Sequence, residues 1–144
     1  MLKLQGYTIK EKINRNLEVE IHRAIDPNNR DVVIKYIPYT SSKQALNNLK
    51  KEYDFIHSLS EDSVIKTFGF ISWEEGLTLI LEDGGISLKE YCKKHGKLSI
   101  TEFLDLSIRL TKIISFLHKN RIVHKDIKPS NFVIFLVICI QLLP

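Results

Sequence analysis

Cysteine is scarce in this chain: Cys92 and Cys139 are the only two in 144 residues. They make no C-x-x-C pair and have no histidine at zinc-ligand spacing, which removes the usual zinc and redox motifs. Free thiols in a reducing cytoplasm are the expectation. A membrane span needs about 20 consecutive apolar residues, and no run of that length occurs. The longest, Phe132–Leu143, is uncharged and almost wholly apolar. It is too short to cross a bilayer and too long for an ordinary strand. The start, Met1-Leu2-Lys3-Leu4-Gln5-Gly6, lacks the apolar stretch of a signal peptide, so a cytoplasmic location is expected. Blocks of like charge are missing too. Lys and Arg (21) are scattered among 17 acids, so no nucleic-acid stripe stands out and nucleic acid is not an expected partner. No internal repeat or low-complexity linker is present. The remainder, 44% apolar and 26% charged, is the composition of a folded globular domain or a piece of one.

The first third reads as strands. Tyr7–Ile13 and Val19–Asp26 alternate, and Asp31–Ile37 is rich in β-branched residues. Asp26-Pro27-Asn28-Asn29-Arg30 is a turn, because Pro sets φ and Asn tolerates the left-handed region. An antiparallel meander follows from the short links. Ser41 or Ser42 can cap a helix whose apolar stripe is Leu46, Leu49, Tyr53, Ile56 and Leu59, with Glu52 beside it. Ile65–Trp73 and Leu77–Glu82 read as two further strands joined by Glu74-Glu75-Gly76, and Gly84-Gly85 then breaks the chain. Ser87 with Glu90, and Ser99 with Glu102, each form a capping box. After the second, Phe103, Leu106, Leu110, Ile113, Ile114 and Leu117 mark a core-facing helix stripe to about Lys119.

Four motifs lie in order along this framework. Val32-Val33-Ile34-Lys35 puts a lysine on a strand, where it can contact phosphates as a point charge or simply be an exposed strand residue. Glu52 follows 17 residues later on the helix. Leu79-Ile80-Leu81-Glu82-Asp83-Gly84-Gly85 is a strand running into a glycine break. His124-Lys125-Asp126-Ile127-Lys128-Pro129-Ser130-Asn131 is the most specific run in the chain. An Asp and an Asn five residues apart on one rigid loop can face the same small volume. There the Asp can orient an attacking hydroxyl and the Asn can hold a metal ion.

Together these residues resemble the eukaryotic-type serine/threonine protein kinases, collinearly from about Tyr7 to Ile134. More narrowly, they resemble the kinase modules that open large bacterial signalling proteins carrying an ATPase segment and a sensor histidine kinase. Three features carry that likeness: the Gly-Tyr-x-Ile start, Leu-Glu-Asp before Gly-Gly, and His-Lys-Asp in place of His-Arg-Asp. The resemblance implies an α+β, protein-kinase-like fold with a five-stranded antiparallel small lobe, one inserted helix, and the first helices of a truncated large lobe. It assigns residues 1–82 to the small lobe, 83–86 to the hinge, 87–134 to the start of the helical large lobe and 135–144 to an atypical apolar tail. It implies ATP and Mg2+ as cofactors, a protein substrate as partner, and further signalling domains in the full-length protein. Catalytic roles fall to Asp126, which would orient the substrate hydroxyl, and Lys128, which would steady the transferring phosphoryl group. Lys35, paired with Glu52, would position ATP. Glu82 and Gly84 would offer backbone contacts to the base, Leu81 would guard the rear of its pocket, and Ile13 and Ile21 would lie against the nucleotide. Asn131 would take magnesium, and His124 would anchor the loop.

The pattern also departs from the family. The G-x-G-x-x-G loop has Asn14, Asn16 and Val19 at its glycine positions, which implies looser phosphate cover. Lys125 keeps the charge of the family's Arg but loses its bidentate fork. No Asp-Phe-Gly occurs; its place by the resemblance is Pro144. Asn131 alone offers one oxygen where magnesium wants near-octahedral coordination. The chain is therefore expected to be inactive as it stands, with a frameshift, a misread gene end or an early stop behind the tail. A non-catalytic module that binds a nucleotide or a protein is the alternative. A small-molecule phosphotransferase shares the Asp…Asn loop, but Lys128-Pro129 argues against it.

Overall fold

The computed structural model describes residues 4–13, 18–59, 64–73, 75–134 and 138–140. Two compact units are present. One comprises residues up to 60 together with Ile65–Asp83; the other comprises Gly84 onward with the short segment ending at Val64.

The first unit is built on an antiparallel sheet of β1 (Thr8–Lys12), β2 (Glu20–Ile25), β3 (Asp31–Pro38), β4 (Thr67–Ser72) and β5 (Gly76–Glu82), with α1 (Lys43–His57) between β3 and β4. The α+β architecture expected from the sequence is thus present, and the first three strands form the expected meander. Their order in the sheet is β1-β2-β3-β5-β4, so β5 enters between β3 and β4. The β2–β3 turn is held by Asp26, whose carboxylate accepts the backbone N–H groups of Asn28 (2.9 Å) and Arg30 (2.8 Å). Asn29 takes the left-handed conformation there, with φ of 60°, as an Asn can at modest cost. Alternation along the strands divides the sheet into two faces. One buries Ala24, Val32, Ile34 and Ile80 with Leu4, and Tyr7, Ile9, Phe68, Ile71 and Trp73 pack against them. The other carries Val33, Lys35 and Ile37.

Two expectations on this unit need correction. The buried stripe of α1 is Ala45, Leu49, Glu52 and Ile56. Glu52 belongs to that stripe instead of lying beside it; Leu46 and Tyr53 are only half-buried, and Leu59 falls beyond the helix end. Of the two serines expected as cap, Ser42 serves, accepting the Ala45 N–H as the sequence allowed. Gly76 opens β5 instead of serving as a turn residue. A Cβ there would meet the Ile37 carbonyl oxygen at 2.3 Å, so the close approach of β5 to the end of β3 requires glycine.

The second unit contains β6 (Ile86–Ser87), α2 (Leu88–His95), α3 (Ile100–Lys119), β7 (Phe132–Ile134) and β8 (Ile138–Ile140). Both expected capping boxes are complete, at Ser87/Glu90 and Ser99/Glu102. The stripe of α3 is covered only toward its C-terminal end. Ile113 and Leu117 are buried, Leu106, Leu110 and Ile114 are half-buried, and Phe103 is 58% exposed. Sequence periodicity reports which residues share a face, and not how far a neighbour extends along it. The apolar run after Asn131 enters a three-stranded sheet of order β6-β7-β8, with Phe132 opposite Ile140. The rest of that tail, including Pro144, lies outside the described residues. So do Asn14 and Asn16. Among the described residues no helix is long and apolar enough to cross a membrane.

Candidate functional site

Lys35 lies near the middle of β3, between Ile21 of β2 and Leu79 of β5 in the sheet register. Strand alternation turns it to the face opposite the Ile34 cluster, toward α1. There its ammonium meets the Glu52 carboxylate at 2.5 Å, with the two side chains 2% and 5% exposed. Burial pushes the Glu52 carboxyl above its usual range, and the Lys35 charge only partly offsets this. A buried pair of this kind is costly to break, because the partner left behind is an uncompensated charge. The sequence expectation that Lys35 and Glu52 meet is met by this geometry.

At one end of the same sheet the Ile13 N–H donates to the Ile21 carbonyl at 2.7 Å. Ile13 is exposed and Ile21 half-buried. Val19 keeps an ordinary negative φ, for the only non-glycine residues with positive φ among those described are Asn29, Arg121 and Lys125. At the end of β5, Leu81 is buried. The Glu82 N–H is taken by the Lys66 carbonyl (2.9 Å), and the Glu82 carboxylate accepts the Lys66 N–H (3.3 Å). Gly84 is buried, and Gly85 turns the chain with φ of 83°.

The loop between α3 and β7 holds the second group. Lys128 is extended, as a residue before proline should be, and Pro129–Asn131 forms a single 3-10 turn. That turn brings Asn131 back onto Asp126. The Asn131 amide donates to the Asp126 carbonyl (2.7 Å) and to Asp126 Oδ2 (3.0 Å). Lys128 Nζ contacts the same Oδ2 at 2.6 Å. Asp126 Oδ1 takes no such contact among the described residues. Lys128 first, and Asn131 second, hold the Asp126 carboxyl below the usual carboxylate range. His124 accepts the Asp126 N–H through Nδ1 (3.2 Å), and burial lowers its pKa. Through that bond the His124 ring is tied to the backbone of the loop at Asp126.

Asn131 is fully buried, yet its Oδ1 has no hydrogen-bond partner among the described residues. A buried amide oxygen left over in this way is a donor atom suited to a hard divalent cation. Among the described residues no cluster of three or more His, Cys, Asp or Glu side chains adds further ligands. Sequence reading missed two features of these sites. One is the sharing of Oδ2 by Lys128 and Asn131. The other is an ion pair from Arg23 to Asp83, at 3.1 Å; the placement of Arg23 two residues after Ile21, on the same strand face, was its one available signal.

Residues 7–137 match the family model for the protein kinase domain. A probable serine/threonine-protein kinase of Dictyostelium discoideum is 28% identical over 138 residues, covering 93% of this chain and 28% of the relative. A probable serine/threonine-protein kinase of Clostridium acetobutylicum is 26% identical over 89% of this chain and 20% of its own. The serine/threonine-protein kinase PrkC of Bacillus subtilis is 28% identical over 73% of this chain and 17% of its own. The chain thus spans less than a third of the length of these relatives.

Proposed function

The chain belongs to the protein kinase domain family, and on that premise we propose that it carries the nucleotide-holding and hydroxyl-orienting parts of an ATP-dependent serine/threonine phosphotransferase. Residues 1–82 serve as the small lobe, 83–86 as the hinge and 87–134 as the start of the large lobe. Lys35, held by Glu52, sets a fixed positive charge for the α and β phosphates of ATP. The Glu82 carbonyl and the backbone of Gly84 serve the base, because the Glu82 N–H is already committed to Lys66. Ile13 and Ile21 cover the nucleotide, and Leu81 closes its rear. Asp126 offers Oδ1 to the hydroxyl of a serine or threonine in a protein substrate. Its depressed pKa makes it an orienting carboxylate that stays ionised, more than a store for a proton. Lys128, lying against Oδ2, steadies the phosphoryl group in transfer.

Protein kinases use ATP and magnesium. Magnesium, when bound, would neutralise charge on the phosphates, and the Asn131 Oδ1 would supply one of its oxygen ligands. A cytoplasmic location, and further signalling domains in the full-length protein, complete the proposal. The three features shared with bacterial signalling modules support the second of these.

The observation that carries the reading is Asp126, clamped through one carboxylate oxygen and open at the other. The test is transfer of labelled phosphate from ATP to a serine- and threonine-containing protein by the full-length protein. Asp126→Asn should lower the rate at least about 100-fold while nucleotide binding persists. Undiminished transfer by that variant would sink the assignment. Nucleotide binding without any transfer by the unaltered protein would favour the non-catalytic module.

A further inference from the structure

The sheet face that carries Lys35 also carries a set of charges that the reading above leaves unused. Arg23 stands opposite Val33 in the β2–β3 register, two residues from Ile21, which stands opposite Lys35. Its guanidinium reaches in two directions. Nη1 donates to Glu11 Oε1 at 2.6 Å, and Nε donates to Asp83 Oδ2 at 3.1 Å. Glu11 is the register partner of Arg23 on β1. Asp83 lies beyond β3, immediately after Glu82 of β5, which pairs with Val32. One side chain therefore joins β1, β2 and the end of β5 across the intervening strand. The Asp83 side chain is 14% exposed and that of Arg23 28%.

The pair is part-buried, so it contributes to the fold as well, but its geometry does more than hold two charges together. A planar guanidinium holds two carboxylates in fixed directions, which a lysine ammonium does not. We propose that Arg23 is a positioning residue for the base of the nucleotide. It sets β1 and β2, and with them Ile13 and Ile21, at a fixed offset from the Glu82–Asp83 backbone. The proposal rests on the nucleotide site put forward above. It acts on the base side alone, because Lys35 is held by Glu52 and owes nothing to Arg23. Setting this offset before the ligand arrives removes an ordering cost from binding.

The experiment compares two probes, ATP and inorganic tripolyphosphate, by titration calorimetry on the unaltered chain and on Arg23→Ala, Arg23→Lys and Asp83→Asn. ATP affinity should fall about fivefold in all three variants, with tripolyphosphate affinity unchanged. The Arg23→Ala/Asp83→Asn double variant should be no weaker than either single variant. Circular dichroism at the titration temperature should show each variant folded. Equal weakening of both probes, full ATP affinity in Arg23→Ala, or rescue by Arg23→Lys would each overturn the proposal while leaving the nucleotide site intact. Failure of the unaltered chain to bind either probe would overturn both.

Discussion

A buried lysine and a buried glutamate compensate each other only while both are present. Lys35→Met should cost about 3–5 kcal/mol, since it strands the Glu52 charge in a dry site. The pH dependence has a definite sign. A carboxyl whose folded pKa is raised binds its proton more tightly in the folded state than in the unfolded one. Stability then falls as pH rises from the ordinary glutamate value through the raised one. Removing Lys35 takes away the influence that lowers this value, so the decline extends further upward. Urea titrations should find Lys35→Met more destabilising at pH 8 than at pH 5; an equal cost at both would refute the account. Asp126 behaves oppositely. Lys128 and Asn131 depress its pKa, so its carboxylate is retained as pH falls and is lost only below the ordinary range. Lys128→Met should shift the acid limb of the rate profile of the full-length protein to higher pH, beyond any change in maximal rate.

Among the elements, those whose signals are local were the legible ones. The boxes at Ser87 and Ser99 each depend on a residue three positions away, and both formed. Ser99→Ala should therefore cost about 1 kcal/mol, visible as a lower denaturation midpoint. The Asp26 turn and the meander were legible for the same reason. The insertion of β5 between β3 and β4 was not, because alternation says which face a strand buries but not which neighbour it chooses. Gly76 became intelligible only through that pairing. Its hydrogen lies against the Ile37 carbonyl oxygen, so Gly76→Ala should cost about 1–3 kcal/mol despite alanine's modest size. A denaturation curve superimposable on the parent's would contradict that contact. The Lys35–Glu52 pair was legible from a motif, whereas the Arg23–Asp83 pair, 60 residues apart, belongs to no local pattern.

For the molecule as a whole, what faces water matters as much as what is covered. Ile100, Phe103, Leu104 and Ile108 on α3 are each more than half exposed. Apolar surface gathered on one element invites contact between molecules. The 144-residue chain should therefore associate in a concentration-dependent way, and Phe103→Lys should reduce this in sedimentation experiments without lowering the melting temperature. Sequence periodicity marked Phe103 as a core residue because periodicity cannot register whether a covering neighbour is present.

The amide at 131 spends both of its hydrogens on Asp126, which settles the direction of its oxygen. Slow hydrolysis of that amide to an acid, the common ageing reaction of asparagine, would set a second negative group against Asp126 and remove the donors that close the loop. The same hydrogens make the loop's age readable: a stored sample that gains the acid at 131, detected by peptide mass mapping, should lose its Asp126 clasp before it loses its fold.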